Sequence, residues 1–186
     1  MLHFRNINLG LLTSILLLLT IVAYSCSDRS RVEYAIKDMK SKKVVLPLEE
    51  MTFCRNNSHY NEKIDFEYKL VVFVDSSRCS SCFIKHLSIW NDYLLLEKQG
   101  KVQLLFIVET PKTELDYYFN ETRFSHINHP VYFDTETMFR RNNPHIPEDK
   151  RFHVFLIDKT SKVVLVGNPV TNSRVDEMFR NIINNS

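Results

Sequence analysis

Hydrophobic and polar positions along this chain fall into short runs that switch between two periods. Leu9 to Val22 is an uncharged stretch built mostly of Leu and Ile. Residues 28–41 follow with a rough helical face of Val32, Tyr34, Ile36 and Met39. Val44-Val45-Leu46-Pro47 then begins an extended edge segment, because Pro47 cannot donate to a β-ladder. After a polar loop from Asn56 to Glu62, the apolar run Leu70-Val71-Val72-Phe73-Val74 predicts a buried strand over 69–75. From Cys79 the spacing turns helical: Phe83, Leu87, Trp90 and Leu94 stand at i, i+4, i+7 and i+11, which predicts one helix over 79–98. Gly100 is placed to end it as a C′ residue.

The second half continues the alternation. Val102 to Val108 is a continuous apolar run suited to burial on both faces. Thr110 and Pro111 read as an N-cap and first helical residue, opening a helix to about Phe124. Val131-Tyr132-Phe133 reads as a short strand, followed by a brief helix from Thr135 to about Asn142. Residues 153–158 and 162–167 form a hairpin around Lys159-Thr160-Ser161, Asn168-Pro169 breaks the second strand, and a last helix runs from about Ser173 to Ile183. Strands alternating with helices, then a hairpin and a closing helix, predict an α/β sandwich around a mixed sheet. Right-handed crossovers set 102–108 parallel to 69–75.

Composition and charge remove several functions. The formal net charge is +2 with both signs interspersed, so nothing resembles an electrostatic footprint for nucleic acid. Lys40, Lys42 and Lys43 read as a solvated helix end. Only three glycines are present and none builds a phosphate-cradling loop. No G-x-S-x-G turn exists for a hydrolase.

The N-terminus bears on the compartment. His3 and Arg5 precede the apolar stretch, and Ala23-Tyr24-Ser25-Cys26 and the polar Ser27-Asp28-Arg29 follow it. A basic start, an apolar core and small residues before a cut describe a secretory signal peptide. The cysteine after the small residues resembles the lipobox of bacterial lipoproteins, which implies cleavage before Cys26, lipid on its sulfur, and a body in the bacterial cell envelope facing the periplasm or exterior. An uncleaved membrane anchor and ordinary secretion are the alternatives. Under all three readings the body lies where disulfides persist.

The tetrapeptide Cys79-Ser80-Ser81-Cys82 sits where the strand at 69–75 runs into a helix. Two thiols three positions apart can close a small disulfide, and the unpaired N–H groups of a helix start stabilise a thiolate at the first. Cys82, one turn further on, is expected to be shielded. Cys54 reads as a buried small hydrophobe, with a third redox partner as the alternative.

The order strand–CxxC–helix–strand–helix–strand–strand–helix, with Phe155-Leu156-Ile157-Asp158 and Lys162-Val163-Val164 near the end, resembles the thioredoxin fold and, within it, redoxin/TlpA-type envelope proteins. The likeness covers about residues 66–184. It implies a three-layer sandwich at 66–186, a central mixed sheet flanked by helices, behind a signal peptide at 1–25 and an N-terminal extension at 26–65. It further implies a membrane-tethered thiol–disulfide oxidoreductase, with Cys79 as nucleophile, Cys82 as resolving thiol, no cofactor, and protein thiols or disulfides of the cell envelope as partners. A non-catalytic accessory lipoprotein with a structural or vestigial disulfide is the second reading.

Three further residues are expected to modulate the pair. Arg78 adjoins Cys79 and would either lower its pKa or simply point to solvent. The family's cis-proline position falls at about Phe152, so that loop is expected to be trans, with the Phe152 ring against the disulfide. The family's buried carboxylate position falls at Phe73, leaving Asp75 at the strand end as a substitute. No metal is expected: Cys82 and His86 share a helical face, and His126 and His129, or His153, could complete a site with Cys79, but a solvent-facing helix residue is the ordinary reading of His86.

Overall fold

The computed structural model describes residues 13–17, 28–54, 66–76, 80–124 and 129–185. The chain divides into two compact units, residues 1–38 and 39–186. Residues 13–17 are helical, and so are residues 28–41 (α1). Among its less exposed positions, Val32, Ala35, Ile36 and Met39 share one face at i, i+3, i+4 and i+7; Tyr34 stands off it at 73% exposure. No described helix is long and apolar enough to cross a membrane.

The second unit is built on one six-stranded sheet. Its strands are β1 (Thr52–Cys54), β2 (Tyr68–Val74), β3 (Gln103–Glu109), β4 (Val131–Asp134), β5 (Val154–Asp158) and β6 (Val163–Val166), in the order β1-β4-β3-β2-β5-β6. β4, β3 and β2 run parallel, while β1, β5 and β6 join antiparallel. A parallel trio continued by an antiparallel hairpin, with helices on both faces, is the thioredoxin-like sandwich expected. The sheet also reaches into the extension, since β1 lies before residue 66 and pairs Cys54 with Val131.

Burial on both faces of β2 and β3 follows from their unbroken apolar runs. One face presents Leu70, Val72, Val74, Leu104, Phe106 and Val108 to the main core. The alternate positions Val71, Phe73, Leu105 and Ile107 are buried too. Among the described residues five α-helices follow α1: α2 (Ser80–Lys85), α3 (Asn91–Lys98), α4 (Leu115–Phe124), α5 (Met138–Asn142) and α6 (Ser173–Asn184). The connections β2-to-β3 and β3-to-β4 step the same way across the sheet, which for right-handed crossovers puts α2, α3 and α4 on one face. Tyr118 of α4 accordingly stacks on Phe133, and Phe179 of α6 meets Tyr93 of α3. The return from β4 to β5 crosses the other face, where Phe139 of α5 packs on Phe73 with ring centroids 4.8 Å apart.

Three expectations are corrected. The helix expected over 79–98 is broken: α2 ends at Lys85, a 3-10 turn spans Leu87–Trp90, and α3 follows. His86 marks the break at φ −105° and ψ 17°, donating from Nδ1 to the Cys82 carbonyl at 2.7 Å. Ile84, Leu87, Trp90 and Tyr93 are therefore the buried positions, a three-residue spacing that belongs to 3-10 geometry, while Phe83 and Leu94 are only half-buried. Thr110 is not an N-cap. Its N–H donates to the Asp134 carbonyl and prolongs the β3–β4 ladder, Pro111 is extended, and a 3-10 turn leads into α4. The helix after β4 starts late, because Thr137 turns through φ 54° before α5.

Gly100 closes α3 at φ 75°, with Gly100 N–H donating to Glu97 and Lys101 N–H to Leu96. Val44, buried, donates to Ser161, and Lys43 bridges Lys162, so the extended segment lies along the hairpin.

Candidate functional site

The site lies where β2, β3 and β4 reach their carboxyl ends, the usual place for chemistry in a sheet of parallel strands. β2 delivers the chain to this edge, and α2 departs from it. Of the predicted residues, Cys82, Asp75 and Phe152 are described; Cys26, Arg78 and Cys79 lie outside the described residues.

Cys82 stands in the first turn of α2, is exposed, and is engaged in a disulfide. The expectation that it would be shielded is corrected. α2 begins at Ser80 and lasts only six residues, so Cys82 never enters a helix interior. Ser80 is buried instead, and the Tyr118 hydroxyl lies beside it, donating to Glu114 at 2.9 Å. Burial, then the Glu114 carboxylate, pushes the Tyr118 phenol above its usual range. Cys54 is a buried thiol in β1, as expected for a small hydrophobe.

Asp75 follows β2 directly and is 3% exposed. Its Oδ2 lies 3.9 Å from Arg140 Nη2 and 3.8 Å from His153 Nδ1. Phe152 is buried at the end of a 3-10 turn, Lys150–Phe152, with the Arg151 guanidinium 5.9 Å from its ring centroid. No cis peptide bond occurs among the described residues. His153, next in sequence, lies against both Asp75 and Phe73: its carbonyl accepts from Phe73 N–H at 2.8 Å, and its ring centroid is 5.1 Å from that of Phe73. Its Nε2 donates to the Pro147 carbonyl at 2.9 Å. A small cleft, with room for about a single water, lies between His153, Phe73, Phe139, Arg140, Ile146 and Pro147.

Sequence reading missed the charged row at this edge. The β2–β3 register pairs Val74 with Val108, so Asp75 and Glu109 come next, and the β3–β4 register pairs Glu109 with Asp134. Three carboxylates thus stand side by side, at 3%, 6% and 1% exposure. One short helix answers all three. The first N–H groups of α5 serve Asp134, which accepts from Met138 at 2.9 Å and Phe139 at 2.8 Å. Arg140 of the same helix donates from Nε to Glu109 at 3.3 Å and faces Asp75 with Nη2. A signal was visible: Val74-Asp75, Val108-Glu109 and Phe133-Asp134 each end an apolar run with an acid.

Of the histidines considered for metal, His86 turns back on its own helix, and His129 is buried against Glu97 at 2.8 Å. His126 lies outside the described residues. Among the described residues no group of three or more His, Cys, Asp or Glu is placed to hold a metal.

No protein-family model matches the sequence, and no curated protein matches it. Among solved structures, the chain is similar to a protein described as thiol:disulfide interchange protein DsbE from Chlorobium tepidum, at 15% identity over 76% of this chain and 97% of that one, with a TM-score of 0.48. It is similar to a domain of a possible thiol-disulfide isomerase from Cytophaga hutchinsonii, at 14% identity over 78% and 95%, TM-score 0.46. A third likeness is to peroxiredoxin Q of Xanthomonas campestris, at 12% identity over 77% and 99%, TM-score 0.46. The thioredoxin-like fold of this chain is carried by its own strand order and orientations.

Proposed function

We propose that this protein is a membrane-tethered thiol–disulfide oxidoreductase acting through Cys79 and Cys82. The observation that supports it is the disulfide at Cys82, exposed in the first turn of a helix that leaves the carboxyl edge of a thioredoxin-like sheet. A disulfide buried for stability would be sheltered from thiols, whereas Cys82 is exposed. With Cys79 as its partner, the exchange balances without a cofactor. The Cys79 thiolate attacks one sulfur of a partner disulfide, and the first partner thiolate leaves. Cys82 then attacks Cys79 sulfur, the second partner thiolate leaves, and two electrons have passed to the partner. Because Cys82 is exposed, the greater reactivity of Cys79 rests on the free N–H groups of the helix start rather than on shielding of its partner.

Equilibration with glutathione tests this reading. A potential between about −120 and −270 mV is expected, the range of dithiol exchangers, and Cys79→Ser or Cys82→Ser abolishes turnover of a disulfide substrate. A far lower potential, with no turnover, makes the bond structural and favours the accessory-protein reading.

The tether rests on the lipobox-like Ala23-Tyr24-Ser25-Cys26 and is tested separately. The protein is expected to stay with membranes after a high-salt wash, and Cys26→Ala to block lipid attachment and release or mislocalise it. Unchanged processing and retention in Cys26→Ala would refute lipidation.

A further inference from the structure

We propose that the sheet edge opposite the cysteine segment is the side this protein sets against an anionic lipid surface. The inference rests on the membrane-tether reading above and goes beyond it, since it assigns which end of the domain meets the headgroups. β2 begins at Tyr68 and β3 at Gln103, and their register sets Lys69 beside Gln103. β5 ends at Asp158, paired with Tyr68. The residues just beyond these strand ends therefore share one edge: Glu67, Lys101 and Lys159, with Lys162 completing the hairpin turn. α3 runs back to the same edge and carries Lys98 in its last turn.

Lys43 reaches this edge from far away in the chain. It forms a β-bridge with Lys162, so two lysines stand opposite each other across a ladder, where like charges repel. The surface acids here are two. Glu67 pairs with Lys159 at 3.1 Å, and the Asp158 carboxylate accepts from the N–H groups of Thr160 and Lys162. Glu97, next to Lys98, is buried and turned inward to His129 and Leu104 N–H. Five lysines thus face two surface acids, and Lys43, Lys98 and Lys162, all exposed, make no ion pair among the described residues. Residues 55–65, outside the described ones, hold two bases and two acids and leave this difference unchanged.

The occupant follows from charge and from the tether. The chain leading from Cys26 joins the sheet at Lys43, on the basic edge itself. An acyl anchor retains a protein without orienting it, and lysines beside the point of entry supply the orientation on anionic headgroups. The carboxyl ends of the same strands instead carry Asp75, Glu109 and Asp134. β2 is seven residues long. With the basic edge on the lipid, the edge from which the helix bearing Cys82 departs stands about 20 Å further out, towards partner proteins.

The experiment reads lysine acetylation by a water-soluble N-hydroxysuccinimide ester, resolved by mass spectrometry. The anchored protein is reconstituted in vesicles of phosphatidylcholine, alone or with about one-third phosphatidylglycerol. Lys43, Lys98 and Lys162 are expected to react about fivefold more slowly on the anionic vesicles, while Lys112 and Lys150, near the other edge, react equally on both. High salt should abolish the difference. Lys43→Gln/Lys162→Gln, which alters only exposed side chains, should remove most of the slowing at Lys98. Equal rates on the two vesicles, or slowing confined to Lys112 and Lys150, overturn the assignment and leave the tether reading intact. The readout needs an anchor but not a lipid one: if Cys26→Ala stays in membranes, lipidation fails and the same lysines still decide the edge. A protein with no anchor is tested by cosedimentation with the same vesicles at low salt, and failure to pellet with the anionic ones overturns the proposal.

Discussion

Glu97→Ala is expected to destabilise the protein by about 3–5 kcal/mol, the cost of leaving one half of a buried pair without the other. Glu97 projects from α3 at 7% exposure, and both carboxylate oxygens are used. Oε1 accepts from Leu104 N–H at 3.2 Å, and Oε2 meets His129 Nε2 at 2.8 Å. His129, 4% exposed, donates from Nδ1 to the Pro130 carbonyl at 2.9 Å, and its ring edge meets Phe106. One side chain thus joins a helix, the start of β3 and the turn into β4. In a domain of this size the loss corresponds to a melting temperature lower by roughly 6–20 °C. His129→Ala should cost as much, since it strands a buried carboxylate. Glu97→Met/His129→Leu, replacing both by apolar groups of similar volume, should recover most of the loss. Thermal denaturation of the three variants checks this. A loss below 1 kcal/mol in Glu97→Ala, on the scale of an exposed ion pair, would mean the pair is open to water.

The second large effect is at Asn143, which is fully buried and acts as a substitute strand. Its Oδ1 accepts from Val45 N–H at 2.8 Å, and its Nδ2 donates at 2.8 Å to the carbonyls of both Val45 and Phe139. This amide ties the segment at residues 44–47 to α5. Asn143→Ala is expected to cost about 2–4 kcal/mol, because several partly buried backbone groups lose their partners at once. Asn143→Asp, nearly identical in shape, should cost at least as much: it loses both donors and sets a buried carboxylate against two carbonyl oxygens. Limited proteolysis gives a second readout, with cleavage near residues 42–48 accelerated in both variants. Equal protease resistance in wild type and Asn143→Ala would show that the segment is held by other contacts.

Both effects concern residues whose sequence neighbourhoods give no warning. Glu97 reads as one more charged residue near the end of a helix, and its partner stands 32 positions later. Asn143 lies just beyond α5, where a polar residue is ordinary, and its partner is 98 positions earlier. The row of Asp75, Glu109 and Asp134 was half visible, since each acid ends an apolar run. What it faces was not, because Arg140 reaches it only after α5 has been folded back across the sheet.

Where local chemistry suffices, the chain's order of residues determined the outcome. Unbroken apolar runs produced β2 and β3, because side chains of alternating direction can all be apolar only if both faces are covered. Asp158 and the residues after it produced the hairpin, where the Asp158 carboxylate accepts from Thr160 and Lys162 N–H groups. Gly100 ended its helix at a positive φ that a side chain would oppose. The alternation of these elements with helices then left the thioredoxin-like sandwich as the arrangement that buries them. Tertiary structure decided the rest. The helix after the cysteine segment broke at His86, since packing Ile84, Leu87, Trp90 and Tyr93 into one core needs a three-residue spacing that a continuous α-helix does not supply. Cys82 consequently stands in a short, exposed turn. Asp75 and Glu109 at the sheet edge met Arg140 from an element more than thirty residues away. Periodicity reports which face of an element is apolar; it carries no information about which distant side chain will meet a buried charge.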